Sequence, residues 1–294
     1  MESIPVETLV IDPPVARDET TRRALFTIRP MRGWLALDLR ELWRFRDLTI
    51  ALASRDVKLR YKQTALGVIW VVLQPLLAAG VFSFVFGKVA KMPSDGIPYF
   101  IFSYAGLLGW NLFSSVTTKV GGSLVGNAHL ISKVFFPRLI LPLSSLVSAL
   151  LDFSVASGML AVLMVMYRVT PGWGLLLVPL WLVMLMMLAT GVGLFAASLM
   201  VSYRDVAYVM PVVMQILLYA CPIAYAVSAV PERLRFWYNM NPLSSVFEAI
   251  RWSVFGVGTI SVVTLCSSAL LGGMALLLGV FSFKRMERKF ADVI

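Results

Sequence analysis

The chain has 294 residues, of which 59% are hydrophobic and 14% charged, and its formal net charge is +10. With a mean hydropathy of +0.82, this composition excludes a soluble globular protein of such length. The apolar runs reach the roughly 20 residues that a membrane-spanning helix needs and lack the alternating polarity of barrel strands. The sequence therefore predicts an all-α integral membrane protein.

The first sixty residues divide into two parts. Residues 1–30 contain several prolines and many charges, and we expect a mobile cytoplasmic tail. Residues 31–63 include GWLALDLRELWRFRDL, where four apolar residues share one helical stripe, namely Leu35, Leu39, Leu42 and Trp43. This pattern predicts an amphipathic helix at the membrane interface or, alternatively, a helix packed on a partner protein.

Six apolar runs follow within residues 64–294, at about 65–87, 98–118, 139–167, 173–200, 206–230 and 259–283. Their lengths predict a domain of six transmembrane helices. The segment at about 231–258 mixes charged and aromatic residues with two prolines. We interpret it as short re-entrant or interfacial helices before the last span, forming an outer gate segment.

The distribution of basic residues indicates the orientation of this six-helix domain. With the N-terminus inside, most of the 26 Lys and Arg residues fall on the inner side, so both termini are expected in the cytoplasm. The fourth run also carries small residues that permit close helix packing, either within one subunit or between two: Gly191, Gly193, Ala196 and Ala197.

Motifs for catalysis or nucleotide binding are missing from the sequence. It has a single histidine, His129, and no GxxxxGK[ST] loop, so we expect no metal, no cofactor and no ATP hydrolysis by this chain. Asp152 is the clearest deep acidic residue, and it either faces a translocation pathway or bonds to a neighbouring helix. A membrane-embedded glycosyl- or acyltransferase would need a carboxylate or His pair, and Asp152, His129 and Glu248 are too scattered to provide one.

Four ordered motifs carry a family resemblance: RYKQTALGVIWVVLQPLL at 60–77, HLISKVFFPRLILPL at 129–143, SYRD at 202–205 and NPLSSVFEAIR at 241–251. Together they resemble the permease subunit of type-2 ABC exporters, specifically the polysaccharide-export branch of the Wzm, KpsM and TarG kind. The resemblance extends from about residue 34 onward. An exporter of a lipid or drug is the alternative, and it should lack the amphipathic N-terminal helix.

The resemblance implies a function and a set of partners. The function is ATP-driven export of an undecaprenyl-pyrophosphate-linked polysaccharide, such as O-antigen, across the bacterial inner membrane. Two permease copies would work with two ATPase subunits, and ATP and Mg would bind to those partners rather than to this chain. No role with nucleic acid is expected, because the basic charge is explained by topology and anionic lipid.

The resemblance also implies a coupling helix at about 127–136 that docks on the ATPase, where a plain loop is the alternative. Apolar side chains would fill a cleft of the ATPase and basic ones would pair with its acidic groups. The residues expected to make these contacts are His129, Ile131, Lys133, Val134, Phe135, Phe136 and Arg138.

A basic cluster precedes the first span, and it comprises Arg55, Lys58, Arg60 and Lys62 together with Tyr61. The resemblance implies that this cluster meets the pyrophosphate headgroup of the substrate, since Arg and Lys suit such anions. Topology alone is the alternative explanation, because each basic side chain near an anionic leaflet gains about 1 kcal/mol.

Aromatic residues supply a candidate translocation pathway. Their faces stack on sugar rings without fixing a polymer in place, whereas an interfacial belt and core packing are the alternative explanation. The residues expected to line the pathway are Phe82, Tyr104, Trp110, Asp152, Tyr219, Tyr225, Trp237 and Tyr238.

Overall fold

The structure is a computed structural model that describes residues 39–62, 67–231, 240–258 and 261–287, with the single positions 233, 235 and 238. The side chains outside this description include those of Leu39, Glu41, Arg60, Tyr61 and Ser228. The predicted tail at 1–30 and the first part of the predicted interface helix also lie outside the described residues. All regular secondary structure in the described part is helical, which confirms the all-α part of the predicted fold class.

The described residues form ten α-helices. In chain order they are α1 (Leu39–Arg44), α2 (Arg46–Lys62), α3 (Ile69–Phe82), α4 (Tyr99–Gly122), α5 (Ala128–Ile131), α6 (Ile140–Met166), α7 (Val178–Ser202), α8 (Val206–Ala220), α9 (Pro242–Phe255) and α10 (Val262–Glu287). A π-helical stretch, Ser83–Val89, continues α3, and shorter 3₁₀ turns occur at Val125–Asn127, Trp173–Leu177 and Val227–Ala229.

Helix α4 is the centre of the bundle. Most of its 24 residues are buried, and it packs against α3, α6 and α7. Helix α7 in turn packs along α10, the most extensive helix–helix contact of the described chain. Because α4 is enclosed by its neighbours, its polar side chains are directed towards other helices or into cavities.

The contact between α7 and α10 depends on glycine. A Cβ at Gly279 would lie 2.2 Å from the carbonyl oxygen of Gly191, so only glycine allows the two backbones to approach this closely. Gly193 serves the contact with α4, where a Cβ would lie 2.8 Å from the side chain of Val120. The small residues of the fourth apolar run therefore pack within the chain at these positions.

Four stretches of the described chain are long and apolar enough to cross a membrane: Ile69–Val89, Ile140–Met166, Trp173–Ser202 and Val262–Glu287. Helix α4 has sufficient length but carries several polar side chains, and α8 has only 15 residues. A membrane protein is thus supported, and the count of six spans stays a prediction.

The predicted interface helix is divided in two. The chain breaks at Phe45 between α1 and α2, and α2 then packs along α6. Leu42 is half-buried as its apolar stripe predicts, whereas Trp43 on the same stripe is 69% exposed, with the guanidinium of Arg46 5.3 Å from its ring centroid. A membrane surface beneath α1 and α2 stays a prediction.

The segment at 231–258 contains α9, whose ends follow local rules. The side chain of Asn241 accepts a hydrogen bond from the backbone N–H of Leu243 at 3.0 Å, and Pro242 occupies the first helical position. Gly256 ends the helix in the left-handed conformation, with φ of 71°. Most of α9 is buried against α4, α7 and α10.

Candidate functional site

A cavity of about 520 Å³ opens between α3 and α6, with α4 as its floor, and we call it the α3–α6 cleft. Apolar walls are interrupted by polar groups from all three helices. The principal side chains are Trp70 and Gln74 of α3, Asn111, Ser115 and Thr118 of α4, and Asp152 of α6. The three α4 residues follow one another at i, i+4 and i+7, which places them on one helical face.

An ion pair closes one side of the α3–α6 cleft. Nζ of Lys119 lies 2.9 Å from Oδ2 of Asp152 and 3.4 Å from Oγ of Ser148. The two charged side chains are only 23% and 17% exposed, so water screens their attraction weakly. The pair links the last turn of α4 to the middle of α6.

A second cavity of about 340 Å³ adjoins the first and shares Thr118 with it. It lies between α2, α4 and α6, and its lining includes Asp56, Ser123 and Asn127. The guanidinium of Arg55 donates to Oδ1 of Asp56 at 2.9 Å and to Oδ1 of Asn127 at 2.8 Å. Helix α2 is thereby fixed to the segment that follows α4.

Arg251 of α9 is the centre of a third polar cluster. Its guanidinium lies 4.8 Å from the ring centroid of Phe102 and donates to the carbonyl oxygen of Tyr225 at 3.4 Å. Burial lowers the pKa of Arg251 to about 10, while the carboxylates of Glu248 and Asp95 favour the charged form. The side chain therefore stays protonated at neutral pH and joins α9 to the chain after α8.

Comparison with known proteins decides the family of this chain. The ABC-2 type transporter family matches residues 47–255, well over half of the sequence. The chain belongs to the ABC-2 type transporter family. The resemblance predicted from the four sequence motifs is confirmed, since all four lie within the matched range.

Relatives of this ABC-2 chain include polysaccharide-export permeases. It is 29% identical over 252 residues to the O-antigen export system permease protein RfbA of Klebsiella pneumoniae, covering 84% of this chain and 95% of that protein. It is also 29% identical over 216 residues to RfbA of Myxococcus xanthus, covering 72% and 81%. The polysialic acid transport protein KpsM of Escherichia coli is 25% identical over 214 residues, covering 69% and 80%.

The expected coupling segment of the ABC-2 chain is only partly helical. Helix α5 spans four residues, Ala128–Ile131, and the chain then runs without regular structure to Pro137, which disfavours a helical Phe136. Phe135 is 74% exposed and Val134 53%, whereas Phe136 is buried in the core.

The remaining coupling candidates differ in exposure. His129 and Lys133 are exposed, and Ile131 is half-buried. Arg138 donates to the backbone carbonyl of Glu287, so its guanidinium is directed towards the end of α10. Val134 and Phe135 thus form the exposed apolar surface, flanked by Lys133.

The basic side chains of the cluster before α3 differ in their exposure and in their partners. Lys58 and Lys62 are exposed near the end of α2, and the Arg55 guanidinium is held by Asp56 and Asn127. The side chains of Arg60 and Tyr61 lie outside the described residues. The two lysines are therefore the described members of the cluster whose charge faces outward.

Two of the aromatic residues expected in a pathway are enclosed by the bundle. Tyr104 is fully buried and donates to the carbonyl oxygen of Ala156 at 2.9 Å, and Trp110 is buried with its ring 5.7 Å from that of Phe113. Phe82 is half-buried. In this conformation Tyr104 and Trp110 pack in the core, and a place for either in a pathway stays a prediction.

The other expected pathway aromatics lie towards α9. The hydroxyl groups of Tyr225 and Tyr238 are 2.6 Å apart, and Tyr219 is 57% exposed on α8. Trp237 lies outside the described residues. The hydroxyl of Tyr225 also donates to the carbonyl oxygen of Tyr219 at 3.5 Å, so these three tyrosines form one group.

Lys119, Arg251 and the polar face of α4 were not predicted from the sequence as site residues. The first two were counted only as basic residues that indicate topology. Asn111, Ser115 and Thr118 are neither charged nor aromatic, so they did not stand out as candidates. Their spacing was nevertheless visible, because amide and hydroxyl side chains at i, i+4 and i+7 in an apolar run mark a polar helix face.

Proposed function

We propose that this chain is the membrane-spanning permease of an ATP-driven exporter for a lipid-linked polysaccharide of the O-antigen kind. The observation that carries the proposal is the match to an O-antigen export permease over 84% of this chain and 95% of that relative. Polar cavities among apolar helices agree with a transport role, because polar groups at membrane depth need water, protein or a ligand beside them.

In the proposed assembly, two copies of the chain work with two ATPase subunits in the bacterial inner membrane. All six predicted spans cross the bilayer, and both termini lie in the cytoplasm. ATP and Mg bind to the ATPase, and this chain holds no cofactor. Val134 and Phe135 are exposed, which supports the segment at 127–136 as the contact with the ATPase.

The proposed substrate enters from the cytoplasmic side with its pyrophosphate at the basic cluster. Lys58 and Lys62 are the members best placed for such contacts, since both are exposed. The undecaprenyl chain would stay in the lipid. The sugar polymer would leave past Tyr219, Tyr225 and Tyr238, whose rings and hydroxyl groups suit transient contacts with sugars.

Depletion of this chain in its host, followed by separate assays of the lipid-linked glycan on each side of the inner membrane, tests the proposal. Full-length polymer should accumulate on the cytoplasmic side and disappear outside. An unchanged surface glycan would contradict the polysaccharide assignment and favour a lipid or drug substrate. Loss of polymer on both sides would indicate a role in synthesis instead.

A further inference from the structure

The α3–α6 cleft contains polar side chains that have no hydrogen-bond partner among the described residues. Gln74, Asn111, Ser115 and Thr118 make no side-chain hydrogen bond within the part of the chain that the structure describes. Gln74 lies on a stretch long and apolar enough to cross a membrane, and so does Asp152 on the opposite wall. Gln74, Asn111 and Thr118 are exposed in the cleft, and between membrane-spanning stretches such groups need water or another polar partner beside them.

The charge of the cleft restricts the kind of occupant. Among the described residues that line it, none is Lys or Arg, and the one carboxylate, Asp152, is paired with Lys119 at the rim. On the described walls a phosphate group would meet no basic side chain, although phosphate sites are normally built from Arg, Lys or backbone N–H groups. The lining therefore favours a neutral, hydroxyl-rich molecule.

Trp70 adds an aromatic surface to this lining. Its indole is 47% exposed and borders the cleft one helical turn before Gln74. A sugar ring presents an apolar C–H face that packs on an indole, while its hydroxyl groups accept from amide NH₂ groups and donate to carboxylate and carbonyl oxygens. The volume of about 520 Å³ lies within the usual range of small-ligand sites.

We infer that the α3–α6 cleft is a sugar-binding subsite in which a neutral ring of the transported glycan packs on Trp70. Gln74 and Asn111 bind the sugar hydroxyl groups together with Asp152, and Lys119 is a positioning residue that holds the Asp152 carboxylate. The inference rests on the proposed function, and it assigns the sugar contact to a place distinct from the outer tyrosine group. A second copy of this chain covering the cleft is the competing explanation.

Photo-crosslinking in intact cells tests the subsite with the full transporter and its own polymer. Trp70→p-benzoylphenylalanine places the reactive group in the cleft, and Ile69→p-benzoylphenylalanine is the matched control. Ile69 is the neighbouring residue, 58% exposed, and does not line the cleft. After irradiation, the position 70 variant should carry a ladder recognised by antibody to the surface glycan, at least about tenfold stronger than the control.

Two further variants link the adduct to the polar lining. Gln74→Ala and Asn111→Ala should each lower the glycan adduct at position 70 by about two- to tenfold, the range expected for one neutral hydrogen bond. The amount of each variant in the membrane fraction, measured through a tag, separates this effect from poor folding.

The remaining outcomes overturn the inference in different ways. If export continues but neither position yields a glycan adduct, or both yield it equally, the cleft is not a sugar subsite and the proposed function stands. An adduct of twice the chain mass at position 70 would show that a second copy covers the cleft. If depletion leaves the surface glycan unchanged, the proposed function fails and the inference fails with it.

Discussion

Nζ of Lys119 lies 2.9 Å from Oδ2 of Asp152, and this contact joins α4 to α6 at the rim of the α3–α6 cleft. The sequence left Asp152 with two explanations, a pathway residue or a partner of a neighbouring helix. The ion pair supports the role as a partner of a neighbouring helix. The position of Asp152 in the cleft lining agrees with the role as a pathway residue. The same side chain thus serves helix packing and borders a polar cavity.

Removing one member of this ion pair should destabilise the protein. Lys119→Ala or Asp152→Ala leaves a weakly hydrated charge without its partner, and we expect a loss of about 2 kcal/mol. The exchange Lys119→Asp with Asp152→Lys should recover much of that loss. Thermal unfolding of the purified chain in detergent measures the effect. Ser154→Ala on the exposed side of α6 is the control, and equal losses in single and exchanged variants would contradict an ion pair.

The backbone contact between α7 and α10 should tolerate no side chain. Gly279→Leu must separate the helices, because even a Cβ would lie 2.2 Å from the Gly191 carbonyl oxygen. We expect strong destabilisation, measured as early thermal unfolding or as protease sensitivity in membranes. Gly158→Ala is the matched control, since no atom lies within 4 Å of its added Cβ, and it should be neutral or stabilise by about 0.5 kcal/mol.

Phe135 should be required for binding the ATPase. Its side chain is 74% exposed, so Phe135→Ser should leave the stability of the permease unchanged while weakening the complex by about 2 kcal/mol, roughly thirtyfold. Co-purification of the ATPase through a tag on this chain measures the effect. The control is Leu176→Ser, which changes an 85% exposed side chain outside the coupling segment at 127–136. Equal retention of the ATPase by both variants would place the contact elsewhere.

Lys58 and Lys62 offer a test of headgroup binding against topology. Topology tolerates the loss of any one basic residue, whereas a charge-assisted contact to phosphate contributes about 1.5–3 kcal/mol. Lys58→Ala or Lys62→Ala should therefore reduce export about tenfold without changing orientation, as measured by surface glycan and a terminal reporter. Lys88→Ala, also an exposed lysine, is the control. Normal export in both variants would leave topology as the explanation of the cluster.

We expect Arg251 to hold the surrounding chain so that reagents do not reach the buried Cys221. Cys221 is buried, and Cys266 is exposed and is replaced by Ser in the test. Arg251→Ala removes the guanidinium from the Phe102 ring and from the Tyr225 carbonyl, so maleimide labelling of Cys221 should rise at least tenfold. Arg204→Ala, at an exposed position, should leave labelling low. Unchanged labelling of Cys221 in the Arg251→Ala variant would show that the Arg251 cluster does not shield this cysteine.

Several features were predictable because they depend on local sequence. The apolar runs determined the helical class, and the Asn241–Pro242 start and Gly256 end determined α9, since caps act within one turn. The family was predictable from four motifs. The length of the coupling helix was not, because α5 ends at Ile131, five residues before Phe136, the only residue that Pro137 restricts.

The sequence by itself therefore determined a helical membrane protein of the ABC-2 family and the approximate positions of its helices. Tertiary structure decided which residues share a site. Tyr104 and Trp110 are aromatic residues of the kind expected in a sugar pathway, yet they face neighbouring helices. Asn111 and Thr118 on the same helix face a cavity. The physical reason is rotation: neighbouring residues of a helix differ by about 100° in direction, and only the packing of α3, α6 and α7 around α4 decides which direction is open.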